Sequence, residues 1–278
     1  MNNGGWLDIR FRIHLLFWAV IGVSVLTGHF LEVITLFVIV LIHELGHVAM
    51  ARELGWRVQE VQLLPFGGVA TVENSYATDP LDEIAVALAG PFMNMVMMAA
   101  SYLFWYTGVW TEEWSRFFLV SNATIALFNL LPIWPLDGGR IVLAMLCWFM
   151  SYRQAALVSL AGSTLLAGIL VGVSGLDLKL NLLIIGLYLL AMNIQSFLRF
   201  PYQFFRFLVE KYGRRQEEAA VQAIRVRPEE TVLAVSHKLR RGRSHLFYVQ
   251  GAGLLAEEQL LHALLFEQKH DAAVGKLL

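Results

Sequence analysis

Residues 36–51 read Leu-Phe-Val-Ile-Val-Leu-Ile-His-Glu-Leu-Gly-His-Val-Ala-Met-Ala. Without three of these residues the stretch is a plain membrane-spanning helix. The three are His43, Glu44 and His47, in the spacing H-E-x-x-H. Positions i and i+4 share one helix face, so both imidazoles can reach one metal ion. Glu44 stands beside the first of them, close enough to polarise a water there. On a soluble helix the same spacing also describes two surface histidines and a solvated Glu. Here the flanks are apolar and offer no solvated face, and an ionisable group inside a bilayer marks function by default. The stretch therefore predicts a metal site sunk into a membrane, with His43 and His47 as ligands and Glu44 as the catalytic group.

The composition agrees. The chain has 278 residues, of which 57% are hydrophobic and 15% charged, against about 25% charged in a soluble domain. It reads as a polytopic α-helical membrane protein with room for one small extra domain. A net charge of -1 gives no basic bias towards nucleic acid. Cys147 is the single cysteine, so no disulfide can form within the chain. The first residues lack a cleavable signal pattern, and the first apolar run is expected to stay as a span.

About six spans are expected, at residues 11–27, 31–51, 84–105, 117–131, 155–173 and 180–197. His14, beside Arg10 and Arg12, reads as an interfacial histidine. Residues 56–73 alternate with period two around Pro65-Phe66-Gly67-Gly68, which predicts a β-hairpin in or on the membrane. A plain interfacial loop is the alternative. A hairpin edge next to a metal could hold an extended peptide by strand addition. In the third span, Gly90 and Pro91 allow a kink or close approach. Asn94 either hydrogen-bonds towards the ligand cluster or makes a simple helix contact.

A second constellation closes the fourth span, Asn129-Leu-Leu-Pro-Ile-Trp-Pro-Leu-Asp-Gly-Gly-Arg140. Pro132 and Pro135 forbid a regular helix there. A catalytic zinc takes three protein ligands and keeps one open position. Asp137 is the acid whose apolar surroundings leave it without a solvated explanation. It is the expected third ligand; the alternative is a helix N-cap before Gly138. Placing the N-terminus in the cytosol puts Arg10, Arg12, Arg52, Arg57, Arg140 and Arg153 on the cytosolic side and leaves only Arg116 and Lys179 outside. Both chain ends then face the cytosol, and His43, His47 and Asp137 lie at one depth.

Residues 201–222 read as a juxtamembrane helix and linker after a membrane domain of residues 1–200. Residues 223–278 are soluble in character and follow a β-α-β-β-α order. A domain of about 60 residues is marginal alone, so pairing with a second copy of the chain is expected.

His43-Glu-Leu-Gly-His47, Pro65-Phe-Gly-Gly68, Ala89-Gly-Pro91 with Asn94, and Asn129-x-x-Pro-x-x-Pro-Leu-Asp-Gly138 together resemble the site-2 protease family of intramembrane zinc metalloproteases. The resemblance covers most of residues 30–140. Residues 223–266 resemble a single cystathionine-beta-synthase-type (CBS) domain. Runs 63–68 and 129–139 resemble the sporulation branch of the subgroup that carries such a domain.

The resemblance implies zinc as cofactor, a protease mechanism and a substrate groove lined by Phe66 and Pro135. It implies pro-sigma-K as substrate, in the outer forespore membrane facing the mother cell. The implied inhibitory partners are stage IV sporulation protein FA and bypass-of-forespore protein A. It also implies ATP at the CBS domain, although Ala256-Glu-Glu-Gln259 stands where that family has Ser/Thr-x-x-Asp.

The resulting mechanism uses Glu44 as the base that takes a proton from water at the metal. Asn129 donates to the developing oxyanion or orients the substrate. Two other classes compete. A non-catalytic zinc-binding membrane scaffold would be expected to have lost Glu44. A transporter would be expected to show repeated halves, and no internal repeat is visible.

Overall fold

The computed structural model describes residues 10–13, 15–56, 58–64, 67–72, 78–176, 180–213 and 220–278. Phe66 and His14 lie outside the described residues. The chain divides into two compact units. One comprises Met1–Ser75, Asp82–Leu131 and Leu136–Gly138; the other comprises Tyr76–Leu81, Pro132–Pro135 and Gly139–Leu278.

The first unit starts with β1 (Arg10–Ile13) and α1 (Leu15–Thr27), followed by α2 (Phe30–Glu53), β2 (Val58–Leu64) and β3 (Gly67–Val72). The strands form a sheet in the order β1-β2-β3, with β2 antiparallel to β3 and parallel to β1. The expected hairpin is present. The expected first span is shorter at its start, because Arg10-Phe-Arg-Ile13 is a strand. Those four residues alternate polar and apolar with period two, and pairing with β2 gives their backbone partners that a lone helical turn beside Arg12 lacks. The 24 residues of α2 reach about 36 Å, enough to cross a bilayer. Gly55, at φ 76°, closes α2 by turning its N–H back to the Arg52 carbonyl.

α3 (Pro80–Tyr106) and α4 (Glu112–Asn129) follow. α4 begins earlier than the hydropathy suggested. Thr111 caps it by accepting from the Trp114 N–H, and Glu112 and Glu113 sit where the helix dipole favours anions. Two polar contacts join α3 to α4. The Asn94 Nδ2 donates to Asn122 Oδ1 at 2.9 Å, and the Ser101 and Ser115 hydroxyls meet at 2.9 Å. Seven residues separate the contacts on each helix, running in opposite directions, so the helices are antiparallel in a heptad register.

In the second unit, α5 (Asp137–Phe149) leads from residue 139 onward into α6 (Tyr152–Leu176) and α7 (Leu180–Gly213). α5 starts at Asp137, four residues before the apolar run begins. α7 continues through Pro201, so the aromatic juxtamembrane stretch is the same helix as the last apolar segment. Phe200, Phe204 and Phe207 recur at helical spacing and form one core with Tyr152 of α6 and with Phe247, Leu255 and Leu260 of the C-terminal segment.

That segment contains β4 (Val221–Val226), α8 (Val232–Ser236), β5 (Ser244–Val249), β6 (Gly253–Ala256), α9 (Glu257–Leu265) and a short 3-10 turn, Val274–Leu277. The strand order is β4-β5-β6, parallel then antiparallel. The β-α-β-β-α order is as expected. α8 is short, because Arg227 to Glu230 form a turn and Thr231 caps the helix only from there.

Among the described residues, α2, α3, Tyr152–Gly175 of α6 and α7 are long and apolar enough to cross a membrane. α1 has 13 residues, and α4, at 18 residues, carries Glu112, Glu113 and Arg116. Apolar side chains stay exposed along the long helices, such as Leu103, Ile169 and Leu198. A protein in water rarely leaves such surface open; lipid accepts it. The chain is an integral membrane protein.

Candidate metal centre

α2 carries His43 and His47 one turn apart, and both are buried. Asp137, the first residue of α5, is buried against them. Its Oδ2 lies 3.3 Å from His43 Nε2 and 3.2 Å from His47 Nε2, and the two Nε2 atoms are 3.2 Å apart. The three donor atoms thus form a nearly equilateral triangle, and all three residues belong to the first compact unit. Asp137 was expected as either a ligand or a cap; its carboxylate is turned to the imidazoles.

The other ring nitrogens are held from behind. His43 Nδ1 meets Asn94 Oδ1 at 2.5 Å, and His47 Nδ1 meets the Val86 carbonyl at 2.7 Å. Both acceptors lack a proton, so each Nδ1 donates and each Nε2 keeps its lone pair for a metal. The Asn94 amide is itself oriented by Asn122, whose own Nδ2 donates to the Phe118 carbonyl at 2.9 Å. Asn94 and Asn122 are both wholly buried. Asn94 therefore contacts the ligand cluster. Asn122 was not singled out from the sequence; its signal is an amide on the same α4 face as Asn129, one heptad earlier.

Gly90 explains the close approach expected of Ala89-Gly90-Pro91. A Cβ there would stand 2.7 Å from His43 Nε2 and closer still to His47 Nε2. Gly46, on α2, packs as tightly against the Ala89 carbonyl, at 2.7 Å from its own absent Cβ. Bare backbone at these two positions lets α2 and α3 close around the imidazoles.

The residues fit zinc. A tetrahedral zinc with bonds of about 2.0–2.2 Å requires donor separations of roughly 3.3–3.5 Å, which the triangle meets within about 0.2 Å. Two neutral imidazoles and one carboxylate form a donor set common in catalytic zinc sites.

Glu44 is half-buried and within electrostatic reach of His47. Asn129 is half-buried at the end of α4, with Nδ2 on the Ile125 carbonyl at 3.0 Å. The α3–α4 register, continued by one heptad, brings Asn129 level with Ala87, next to the Val86 that holds His47. Pro135 follows a cis Trp134–Pro135 peptide and belongs to the second unit. There Trp134 is fixed at both backbone groups: its N–H donates to Ser163 Oγ at 2.6 Å, and its carbonyl accepts from Asn193 Nδ2 at 2.6 Å.

The sequence profile of peptidase family M50 matches residues 31–113 and 106–169. Stage IV sporulation protein FB of Bacillus subtilis is 31% identical over 98% of this chain and 98% of its own. A zinc metalloprotease of Methanocaldococcus jannaschii is 28% identical over 66% of this chain and 54% of its own. The solved structure of a site-2 protease from Methanocaldococcus jannaschii superposes with a TM-score of 0.55 at 25% identity, covering 70% of this chain and 94% of that one.

Proposed function

The chain belongs to peptidase family M50 and is an intramembrane zinc metalloprotease of the site-2 type; from that premise we propose that it cleaves pro-sigma-K at or within the bilayer and releases its pro-sequence. The observation that carries this reading is end-to-end similarity. The sporulation relative matches over 98% of both chains, the C-terminal segment included.

In the proposed mechanism His43, His47 and Asp137 hold the zinc, and Asn94 and Val86 fix the two imidazoles. Zinc, when bound, supplies the Lewis acidity that makes water nucleophilic near neutral pH. Glu44 takes the proton from the attacking water and later gives it to the leaving amine. Asn129 donates to the carbonyl oxygen as it gains charge or orients the substrate. Phe66 and Pro135 are assigned as substrate-contacting residues on the family resemblance alone. The substrate unwinds and adds as a strand to the sheet of the first unit. In favour of this, β3 is an edge strand that packs against α2, the helix that carries the histidines.

We read α1 and α4 as the two further spans that bring the count to six, with both chain ends in the cytosol. We assign residues 1–200 to the protease domain, 201–222 to a juxtamembrane linker and 223–278 to a CBS-like domain that engages the substrate. ATP is the implied ligand there. Ala256 and Gln259 lack the hydroxyl and carboxylate that the family uses, so other donors would have to hold it. Pairing with a second copy would use the open sheet face, where Val221, Tyr248 and Leu254 are exposed. Stage IV sporulation protein FA and bypass-of-forespore protein A are the proposed inhibitors, in the outer forespore membrane.

Co-expression with pro-sigma-K in a host lacking the inhibitors tests the reading. Wild type should yield the shortened product, and Glu44→Gln should yield none while keeping its zinc. An uncleaved substrate with zinc-loaded wild type would remove pro-sigma-K as substrate. It would favour the rival scaffold reading if no other membrane substrate were cut either.

A further inference from the structure

The second unit holds an open cavity of about 460 Å³ where the start of α6, strand β4 and the segment after α8 meet. Its walls are cationic, from Arg153, Arg225, Lys238 and Arg240, and no carboxylate lines it. Lys238 is paired with Glu230 at 2.5 Å. Arg225 lies 5.9 Å from the ring centre of Tyr248. Arg153 and Arg240 have no carboxylate partner among the described residues.

Ser151 is a second, independent observation. It immediately precedes α6 and lines the cavity, yet it is only 6% exposed and its Oγ has no hydrogen-bond partner. A serine in that place normally caps the helix by accepting a first-turn N–H; this one does not. A buried hydroxyl left without a partner is costly, and a ligand at this spot would satisfy it. The backbone repeats the pattern. The Tyr152 N–H goes to the Leu239 carbonyl and the Ala155 N–H to the Ser151 carbonyl. The N–H groups of Arg153 and Gln154 have no partner among the described residues. They open the 25-residue helix α6, whose dipole favours an anion at that end.

From this juxtaposition we propose that the cavity binds a phosphate group, held by the Ser151 hydroxyl, the first-turn N–H groups of α6 and the guanidinium groups of Arg153 and Arg240. The donors outnumber what a two-oxygen carboxylate takes up; a phosphate with three or four acceptor oxygens uses them. The same positive field acts on His237 in the cavity wall, whose imidazole is held below its ordinary range by burial first and Arg153 second. α6 is apolar and long enough to cross a membrane, and a spanning α6 would put its first turn at a membrane boundary. A lipid headgroup and a free phosphate can both reach such a position. The site does not involve Ala256–Gln259 and does not depend on the proteolytic reading.

The test uses the full chain in a phosphate-free maltoside detergent, with the thermal midpoint followed as inorganic phosphate is added against chloride at equal ionic strength. Wild type should show a saturable rise specific to phosphate. Arg153→Gln and Arg240→Gln should each weaken the apparent affinity about tenfold, as expected when a charge-assisted donor is lost. Arg225→Gln, at an exposed position, provides a variant that leaves the core intact and should weaken it less. Nanodiscs with and without phosphatidic acid separate the sources. A headgroup occupant abolishes the free-phosphate response only where phosphatidic acid is present; a soluble occupant leaves the response in both. No phosphate-specific rise in wild type, or an equal rise in all variants, would overturn the site.

Discussion

At the scale of single residues, the metal centre depends on one side chain that is missing and two that stand behind the ligands. Adding a methyl at Gly90 puts a carbon inside contact distance of both Nε2 atoms, with helix backbone behind it. Gly90→Ala is therefore expected to abolish zinc binding, as read by metal analysis of the purified chain. Asn122→Leu removes the acceptor that orients Asn94, leaving the His43 partner free to flip. Loss of such supporting partners typically costs about 10–100-fold in metal affinity or activity. Asn122→Asp keeps the acceptor and should recover most of the loss, as read by zinc affinity and by the visible spectrum of the cobalt-substituted protein. The His43, His47 and Asp137 cluster was legible in sequence because an ionisable group in an apolar run has no bland explanation. Asn122 and Val86 were not, because an amide between small residues and a backbone carbonyl carry no pattern until α3 is laid beside α4.

At the scale of elements, spans and strands differ in how plainly they show. The hairpin was legible from its period of two. β1 was not, since four residues beside a long apolar run read as the start of that run. The α5 start was hidden by Gly138 and Gly139. Those glycines are required because a Cβ at Gly138 would run into the carbonyls of Leu130 and Leu131.

The Trp134 anchor belongs to the same level. Asn193→Leu strands the Trp134 carbonyl and removes the acceptor of the Ser163 hydroxyl. Each buried group left unpaired costs about 1–3 kcal/mol, so the two together give an expected loss of about 2–6 kcal/mol, read as a lower thermal midpoint in detergent.

The C-terminal sheet adds a pH dependence. His245 on β5 donates from Nδ1 to Glu257 and accepts the Arg240 N–H at Nε2, an arrangement that suits the neutral ring. Burial, then Lys211 and Arg240, hold its pKa below the ordinary value, against the pull of Glu257. His237 is lowered as well. The unfolded chain therefore takes up protons first as pH falls below about 6.5. Stability should be lower at pH 5.5 than at pH 7.5, and His245→Gln should reduce the difference.

At the scale of the whole molecule, composition already settled the membrane class. The number of spans did not follow from it, because α1 is short and α4 carries charge at its start. The balance of Lys and Arg predicts that reporters fused at either end of the chain read as cytosolic, and that only detergent, not high salt, releases the chain from membranes. A periplasm-type reading at one end would mean an odd number of spans and would contradict the six-span assignment.

The central claim is that His43, His47 and Asp137 form one zinc centre and that Glu44 acts beside it without holding the ion. Zinc per chain, measured on purified wild type, His43→Ala, His47→Ala, Asp137→Ala and Glu44→Gln, tests this most directly. The account predicts one zinc per chain in wild type and Glu44→Gln and its loss in the three ligand variants. Zinc retained by Asp137→Ala, or lost from Glu44→Gln, would contradict it.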